Sequence, residues 1–478
     1  MAFLIDFGST FTKVTAVDLE QAQVVGRGEA PSTVSTDVRE GLLRALLSLR
    51  RQHGLLGQTG GDLTILDGNI VLASSSAAGG LRIVVVGHVP GLTVNAANQA
   101  ALGAGAKVVG ATAFKLTETA ILEIEKLFPD MILLTGGVDE GDTATILHNA
   151  TMLARCHLSV PTVVAGNRAV ADEVCSILKA GGKEARRAGN VMPKAGTLAV
   201  ESAREEIRQL FLERITYAKG LDKIREIVPV VLPTPMAVLE GARLGADGTG
   251  AQTGWGDLVV VDVGGATTDV HSIGYGLPSG PQLIEQGLPE PYAKRTVEGD
   301  LGIRFNAATL LDHVGAEKFE REFRRAFPAL KISWEGLVSY IQQISRDTAV
   351  VPSEEWHRAV DALLARSAVD LAVERHVGRK ERIVAREGEA WICFGKDMSE
   401  TRTLIGTGGV FVHNPYASFV LRGSNDGGDR VQILRPKNAR LFLDFSYLLY
   451  AVGLLAREYP DVALRIFNQH MSLLNGSP

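Results

Sequence analysis

Asp6-Phe7-Gly8-Ser9-Thr10-Phe11-Thr12-Lys13 and, far down the chain, Asp262-Val263-Gly264-Gly265-Ala266-Thr267-Thr268-Asp269 carry one pattern twice. In each, a short apolar strand (residues 3–7 and 258–264) ends at a carboxylate and enters a glycine turn rich in hydroxyls. It then returns as a second strand (residues 13–18 and 268–273). A glycine turn can aim successive N–H groups at an anion, and hydroxyls add donors. Gly8, Ser9 and Thr10, with the cation of Lys13, are candidates to hold phosphate. So are Gly264, Gly265, Ala266, Thr267 and Thr268. Asp6 and Asp262, at the strand ends, can hold Mg²⁺ through water. One such turn is a common accident of sequence, but two, each opening an α/β segment, are not.

Outward from the first turn, residues 24–29 read as a third strand and 38–51 as an amphipathic helix. Strands at 82–87, 107–110, 131–135 and 162–165 then alternate with helices at 94–103, 118–128, 143–155 and 170–180. This alternation predicts an α/β protein with parallel or mixed sheets. Residues 201–226 read as a long helix, 229–235 as an extended passage and 236–244 as another helix. The polar, glycine-rich loop 246–256 reads as mobile. Outward from the second turn, helices are expected at 300–313, 317–325, 333–346 and 354–376, and at the terminal stretches 441–458 and 462–474. Between them, Leu404-Ile405-Gly406-Thr407-Gly408-Gly409 is a strand running into a glycine cluster, where a flat ring can lie against backbone. The expected organisation is a first half over 1–235, with an inserted α/β segment near 105–230, and a second half over 236–478.

Composition narrows the function classes. With 46% hydrophobic and 22% charged residues, the chain reads as a soluble globular protein. A formal net charge of −5 offers no electrostatic reason to bind nucleic acid or a membrane. The longest apolar runs are strand-length, too short for a bilayer. The start, Met1-Ala2-Phe3-Leu4-Ile5-Asp6, enters a strand with no basic region or cleavage site, so a cytoplasmic location is expected. Cys156, Cys175 and Cys393 are few and widely spaced, which suits buried thiols in a reducing compartment. His88, His148, His271 and His413 lack metal-ligand spacing. Asp139, Glu140 and Asp142 read as a solvated loop, Asp300 as a helix cap, and Lys183, Arg186 and Arg187 as solvated surface. No Walker A pattern occurs, which disfavours a P-loop ATPase.

The order of the three glycine motifs resembles the phosphate-one, phosphate-two and adenosine motifs of the actin, sugar-kinase and heat-shock-chaperone superfamily. Pro235-Met236-Ala237-Val238-Leu239-Glu240-Gly241 resembles its connecting helix. The resemblance implies an actin-like ATPase fold, with two related α/β halves of ribonuclease H-like core around a nucleotide cleft. It implies ATP and Mg²⁺ as cofactors, and Asp6, Asp262 and Asp269 as the catalytic carboxylates. Gly406, Thr407, Gly408 and Gly409 would lie on the adenosine. Two departures stand out. Ala266 occupies a position where a third glycine is usual. Thr234 occupies the position of the chaperones' catalytic Glu, which leaves the identity of the base open.

A closer resemblance covers nearly the whole chain. Residues 6–10, Ser74-Ser75-Ser76-Ala77-Ala78-Gly79-Gly80-Leu81, Leu133-Leu134-Thr135-Gly136-Gly137-Val138-Asp139 and Val164-Ala165-Gly166-Asn167 look like the glutamate mutase accessory family, often called MutL or GlmL. Residues 261–272 and 289–302 are similar to it as well. That resemblance implies a chaperone-like ATPase that reactivates an adenosylcobalamin-dependent mutase by exchanging damaged cobalamin for intact cofactor. Its expected partners are the subunits of that mutase, and no tightly held cobalamin is expected in this chain. Which cobalamin enzyme is the client stays open. A small-molecule kinase and a nucleotide-dependent filament protein remain as alternatives on the same fold. Asp269-Val270-His271-Ser272-Ile273-Gly274 fits the D-x-H-x-x-G cobalamin signature, yet it falls in a returning strand and reads as coincidence.

Overall fold

The computed structural model describes residues 1–8, 11–33, 37–53, 63–76, 81–217, 227–278, 283–348, 350–385, 388–424 and 433–474. The chain divides into two compact units. One comprises Met1–Gly241, Gly287–Pro289 and Tyr450–Ile466, and the other Ala242–Gln286, Glu290–Leu449 and Phe467–Pro478.

The first unit begins with an antiparallel meander of β1 (Ala2–Phe7), β2 (Phe11–Asp18) and β3 (Gln23–Pro31). Every residue of β1 is buried, so it takes the centre of the sheet. The helix Val38–His53 lies tight on β3. A Cβ on Gly28 would fall 2.1 Å from the carbonyl oxygen of Ala45, so only glycine permits that approach. β4 (Ile70–Ser75) then pairs parallel with β1.

From β4 the chain leaves to build a second sheet. It contains β5 (Arg82–Val86), β6 (Lys107–Thr112), β7 (Met131–Leu134), β8 (Thr162–Val164) and β9 (Ala185–Arg187), in the order β6-β5-β7-β8-β9 and all parallel. Alternate residues serve opposite faces, as a strand's period of two requires. Ile83, Val85, Met131, Leu133 and Val163 join one core, and Val84, Val86, Ile132, Leu134 and Val164 join another. The first strand of this sheet in the chain begins at Arg82, with β5 lying between β6 and β7. An apolar run marks a strand but not the sheet it enters. The chain returns through the helix Glu201–Tyr217 to β10 (Val230–Pro233), which pairs parallel with β4. The remainder of the long helix expected there, residues 218–226, lies outside the described residues.

The second unit repeats the first sheet's plan. β11 (Leu258–Val263) and β12 (Thr268–Ile273) are antiparallel. After β13 (Leu283–Gln286) comes β14 (Ala293–Glu298), antiparallel to β12. Four helices follow, Ala307–Val314, Ala316–Ala326, Trp334–Arg346 and Glu355–His376. Next are β15 (Arg379–Ala385) and β16 (Gly388–Phe394), which form a small sheet with β13. β17 (Thr403–Thr407) then pairs parallel with β11, β18 (Arg440–Asp444) parallel with β17, and β19 (Met471–Leu473) antiparallel with β18. The orders β3-β2-β1-β4-β10 and β14-β12-β11-β17-β18 match strand for strand. Each is the ribonuclease H-like core, and its duplication makes this an actin-like fold.

Several expectations need correction. Residues 441–458 are not one helix but the end of β18 followed by the helix Leu449–Leu455. Residues 462–474 split into the end of the helix Pro460–His470 and β19. The loop 246–256 is packed down: the Trp255 ring lies 4.7 Å from Phe442 and 4.8 Å from Phe467, and its Nε1–H donates to Asn468 over 2.8 Å. No helix among the described residues is long and apolar enough to cross a membrane.

Candidate functional site

The first turn closes at Gly8, whose N–H donates to the carbonyl of Phe11 over 3.1 Å. A Cβ on Gly8 would sit 2.5 Å from that oxygen. Ser9 and Thr10 lie outside the described residues. Asp6 is almost fully buried at the end of β1. Its Oδ1 accepts from the Thr234 hydroxyl at 2.6 Å and from the Ser74 hydroxyl at 3.1 Å, and its Oδ2 lies 3.9 Å from the Lys13 ammonium. Burial pushes this carboxyl above its ordinary range, while Lys13 and the two hydroxyls pull it back. Lys13 is its direct cross-strand neighbour, so the hairpin register itself supplies the cation.

The second turn, after β11, is held by a short collar of chain that sequence reading had given to a helix. Ile303 N–H donates to the Gly264 carbonyl, and the N–H groups of Arg304 and Phe305 donate to that of Gly265. The Asn306 amide donates to the Ala266 carbonyl over 2.9 Å. A Cβ on Gly302 would stand 2.3 Å from the backbone of Ala266. All three turn carbonyls thus face the collar. Among the described residues, no protein acceptor meets the N–H groups of Gly265, Ala266 and Thr267. That is the geometry of an anion nest. The collar also explains why the helix expected from Asp300 begins only at Ala307: the N–H groups of 303–305 are bonded to the turn.

Asp262 and Asp269 face one another across β11 and β12. Asp269 is locked. Its Oδ1 accepts from Arg295 Nε at 3.0 Å and Nη2 at 2.7 Å, and its Oδ2 accepts from the Thr267 hydroxyl at 3.0 Å. The hydroxyl of Thr268 is buried and donates to the Leu301 carbonyl over 2.7 Å, bracing the turn from behind. Arg295, on β14, and the collar residues Gly302, Arg304 and Asn306 had no signal as single residues. Only the motif Pro289–Gly302 pointed to their neighbourhood.

The third glycine run meets the second turn. β17 lies parallel beside β11, with Thr407 opposite Asp262. A Cβ on Gly408 would come within 2.6 Å of the Val263 carbonyl and 2.8 Å of Asp262 Oδ1, and its φ of +105° also demands glycine. Gly406 packs on the Phe411 ring. Gly409 has open space at its Cα and begins a short helix. The Thr407 hydroxyl turns inward to Asp444 Oδ2 at 3.1 Å. The second unit therefore brings together residues 262–269, 302–306 and 406–409.

Other sequence candidates are structural. His271 is buried in the middle of β12, and burial together with Arg295 holds its pKa well below the ordinary value. Asp139 accepts from the Arg168 N–H and the Asn190 amide, Glu140 pairs with Arg168, and Asp142 caps the N–H of Thr145. Among the described residues no cluster of three or more His, Cys, Asp or Glu could hold a metal. Asp300 is not a helix cap; it shares the Arg375 guanidinium with Glu298 and pairs with His313. Lys183, Arg186 and Arg187 are not merely solvated. Lys183 donates to the carbonyls of Cys156 and Leu158, while Arg186 pairs with Glu213 and Arg187 with Asp172.

The sequence profile of the MutL protein family matches residues 2–471. A relative from Clostridium tetanomorphum, described as Protein MutL, is 41% identical over 475 residues, spanning 98% of both chains. The chain belongs to the MutL protein family. Among solved structures, a carbohydrate kinase from Novosphingobium aromaticivorans is 14% identical, with 99% of this chain and 93% of that one covered and a TM-score of 0.31. The ethanolamine utilization protein EutJ from Carboxydothermus hydrogenoformans is 12% identical, with 97% and 88% covered and a TM-score of 0.29. Xylulose kinase from Bifidobacterium adolescentis is 10% identical, with 99% and 95% covered and a TM-score of 0.28.

Proposed function

We propose that this protein binds and hydrolyses Mg-ATP, and that the nucleotide cycle drives reactivation of an adenosylcobalamin-dependent mutase. Its client is glutamate mutase, from which damaged cobalamin is exchanged for intact cofactor. The observation that carries the nucleotide reading is the open nest of N–H groups at Gly265, Ala266 and Thr267. Phosphate oxygens are its natural acceptors, because the carbonyls that would repel them are held back by the collar. Gly8 with Lys13 forms the other phosphate turn, together with Ser9 and Thr10 from the sequence pattern. The adenosine lies on Gly406, Thr407, Gly408 and Gly409.

The chain's own groups divide the work. The N–H nest binds and orients phosphate. Lys13 offsets its negative charge and partly counters the upward push of burial on the Asp6 carboxyl. Asp269, fixed by Arg295 and Thr267, keeps the turn's shape and holds a carboxylate of the catalytic set in place. Asp6 and Asp262 would hold Mg²⁺ through water, and the ion would neutralise charge on the transferred phosphoryl group. The buried carboxylate of Asp6, whose Oδ1 accepts from two hydroxyls, suits an outer-sphere role.

Membership of the MutL family supports a mutase partner. A damaged cobalamin stays trapped because the mutase holds it tightly. A partner can release it only if its affinity for the open enzyme differs between nucleotide states. The test is reactivation of glutamate mutase inactivated with cyano- or hydroxocobalamin. Activity should return only with this protein, ATP, Mg²⁺ and free adenosylcobalamin together. Equal recovery with a non-hydrolysable nucleotide would remove hydrolysis from the mechanism. No recovery, alongside phosphorylation of a small metabolite, would establish a kinase instead.

A further inference from the structure

The collar that holds the second turn is tied at its other side to a buried carboxylate. Arg304 N–H bonds the Gly265 carbonyl over 2.9 Å, and its Cβ and Cγ lie against the Cα of Gly265. Its guanidinium donates to Asp361 Oδ2 at 2.6 Å, with a second bond to the Ile303 carbonyl at 3.0 Å. Asp361 sits on the helix Glu355–His376 with its side chain 4% exposed, and its Oδ1 accepts from the Tyr340 hydroxyl at 3.2 Å. Tyr340, on the helix Trp334–Arg346, stacks on His357 at 4.3 Å. His357 in turn packs against Trp356 at 3.9 Å. One continuous chain of contacts thus runs from the turn to the aromatic group at the start of the helix Glu355–His376.

The chemistry of this chain is a competition. Arg304 is the cation built into the collar, and its own N–H makes one of the bonds that orient the nest. An anion on the nest attracts the same guanidinium that Asp361 now holds. Charge-assisted bonds of Arg to carboxylate and to phosphate are of similar strength, so the two acceptors are well matched. We propose that Arg304 and Asp361 form a phosphate-responsive relay, in which nucleotide phosphate at the turn draws on Arg304 and loosens its bond to Asp361. Tyr340, His357 and Trp356 then re-pack. This rests on the nucleotide reading above and adds a route by which occupancy of the site is reported to the helix pair. Arg304 and Asp361 are positioning residues, since they act through the turn and the helices.

Trp356 makes the relay measurable in the full-length protein. Mg-ATP titration is followed by calorimetry for binding and by tryptophan emission for the relay, with Trp356→Phe assigning the signal. The expected result is an emission change on Mg-ATP that Trp356→Phe removes. Asp361→Asn should abolish the change and tighten Mg-ATP relative to adenosine, because Arg304 is released to the phosphate. Tyr340→Phe deletes one hydroxyl and should lose the change while leaving the affinity unaltered, which keeps the test sound if Asp361→Asn misfolds. ATP binding by the wild type with no contribution from Trp356 overturns the relay alone. So does weaker Mg-ATP binding in a folded Asp361→Asn, which marks a purely structural clamp. Absence of any ATP binding by the wild type removes the nucleotide reading and the relay with it.

Discussion

The hydroxyl of Thr234 donates to Oδ1 of Asp6 over 2.6 Å, tying the first residue of the helix Thr234–Asp247 to the end of β1. Burial already raises the Asp6 carboxyl above its ordinary value, so ionising it costs the folded state, and Thr234 offsets part of that cost. Thr234→Val should destabilise the protein at neutral pH by about 1.5–3 kcal/mol, the range for a bond to a charged group. The difference from wild type should shrink as pH falls and Asp6 takes up its proton. Urea titrations across pH would show this. A difference that stays flat would mean that the Asp6 charge is not what Thr234 supports.

Lys13 should act on phosphate and not on the ring. Lys13→Ala is expected to weaken ATP much more than adenosine, measured by calorimetry. Equal losses for both ligands would assign Lys13 a structural role, and no loss would make it a solvated lysine.

Asp262→Asn should abolish ATP hydrolysis with the fold intact, since the side chain keeps its size but loses the charge proposed to position the metal. Turnover at the wild-type rate in a variant with an unchanged circular dichroism spectrum would sink this role.

Gly302→Ala tests the collar. The added methyl meets the backbone of Ala266, which has no flexible end to move aside. The nest should lose its shape, so ATP affinity should drop while the folded cores persist. ATP binding at wild-type strength would show that the turn does not depend on the collar.

Lys396 predicts an unusual pH dependence. It is fully buried, and its ammonium donates to the carbonyls of Ser272, Pro291 and Tyr292. Burial, with Lys294 adding to it, pushes its pKa down to about 7 from 10.5. In the window between these values the unfolded chain binds this proton and the folded chain does not, so stability rises with pH there. Below the window both states are protonated and the burial penalty is felt in full. Wild-type urea midpoints should therefore climb from about pH 7 to about pH 10 by more than those of Lys396→Met. Parallel profiles for the two proteins would refute the shift.

Much of the plan was legible because it rests on local signals. The strand-carboxylate-glycine pattern at Asp6 and Asp262 forms a hairpin in both places, since the turn needs glycine and the strands need apolar residues. β4, β9, β13, β14, β15 and β16 went unread, and β10 was read only as an extended passage. β15 and β16 carry mixed polarity and pair as a local hairpin, while β4 and β10 are short runs settled by pairing with β1 and with each other, far apart in the chain. The stretch around Leu441–Phe445 is apolar enough for helix or strand, and the free edge of β17 decided the matter.

What the sequence by itself determined is the duplicated α/β character, the three glycine motifs and membership of a family. Each depends on residue types at short spacing, which local backbone chemistry reads directly. What only the tertiary structure decided is which groups meet. Arg295 and Asp269 become a locked pair, and residues 302–306 a collar in place of a first helical turn. Thr234 becomes a donor to Asp6, and Arg304 a link to Asp361. These pairings join residues far apart in the chain. Their energies come from burial and from completing hydrogen bonds in a low dielectric, neither of which a residue possesses until its neighbours have arrived.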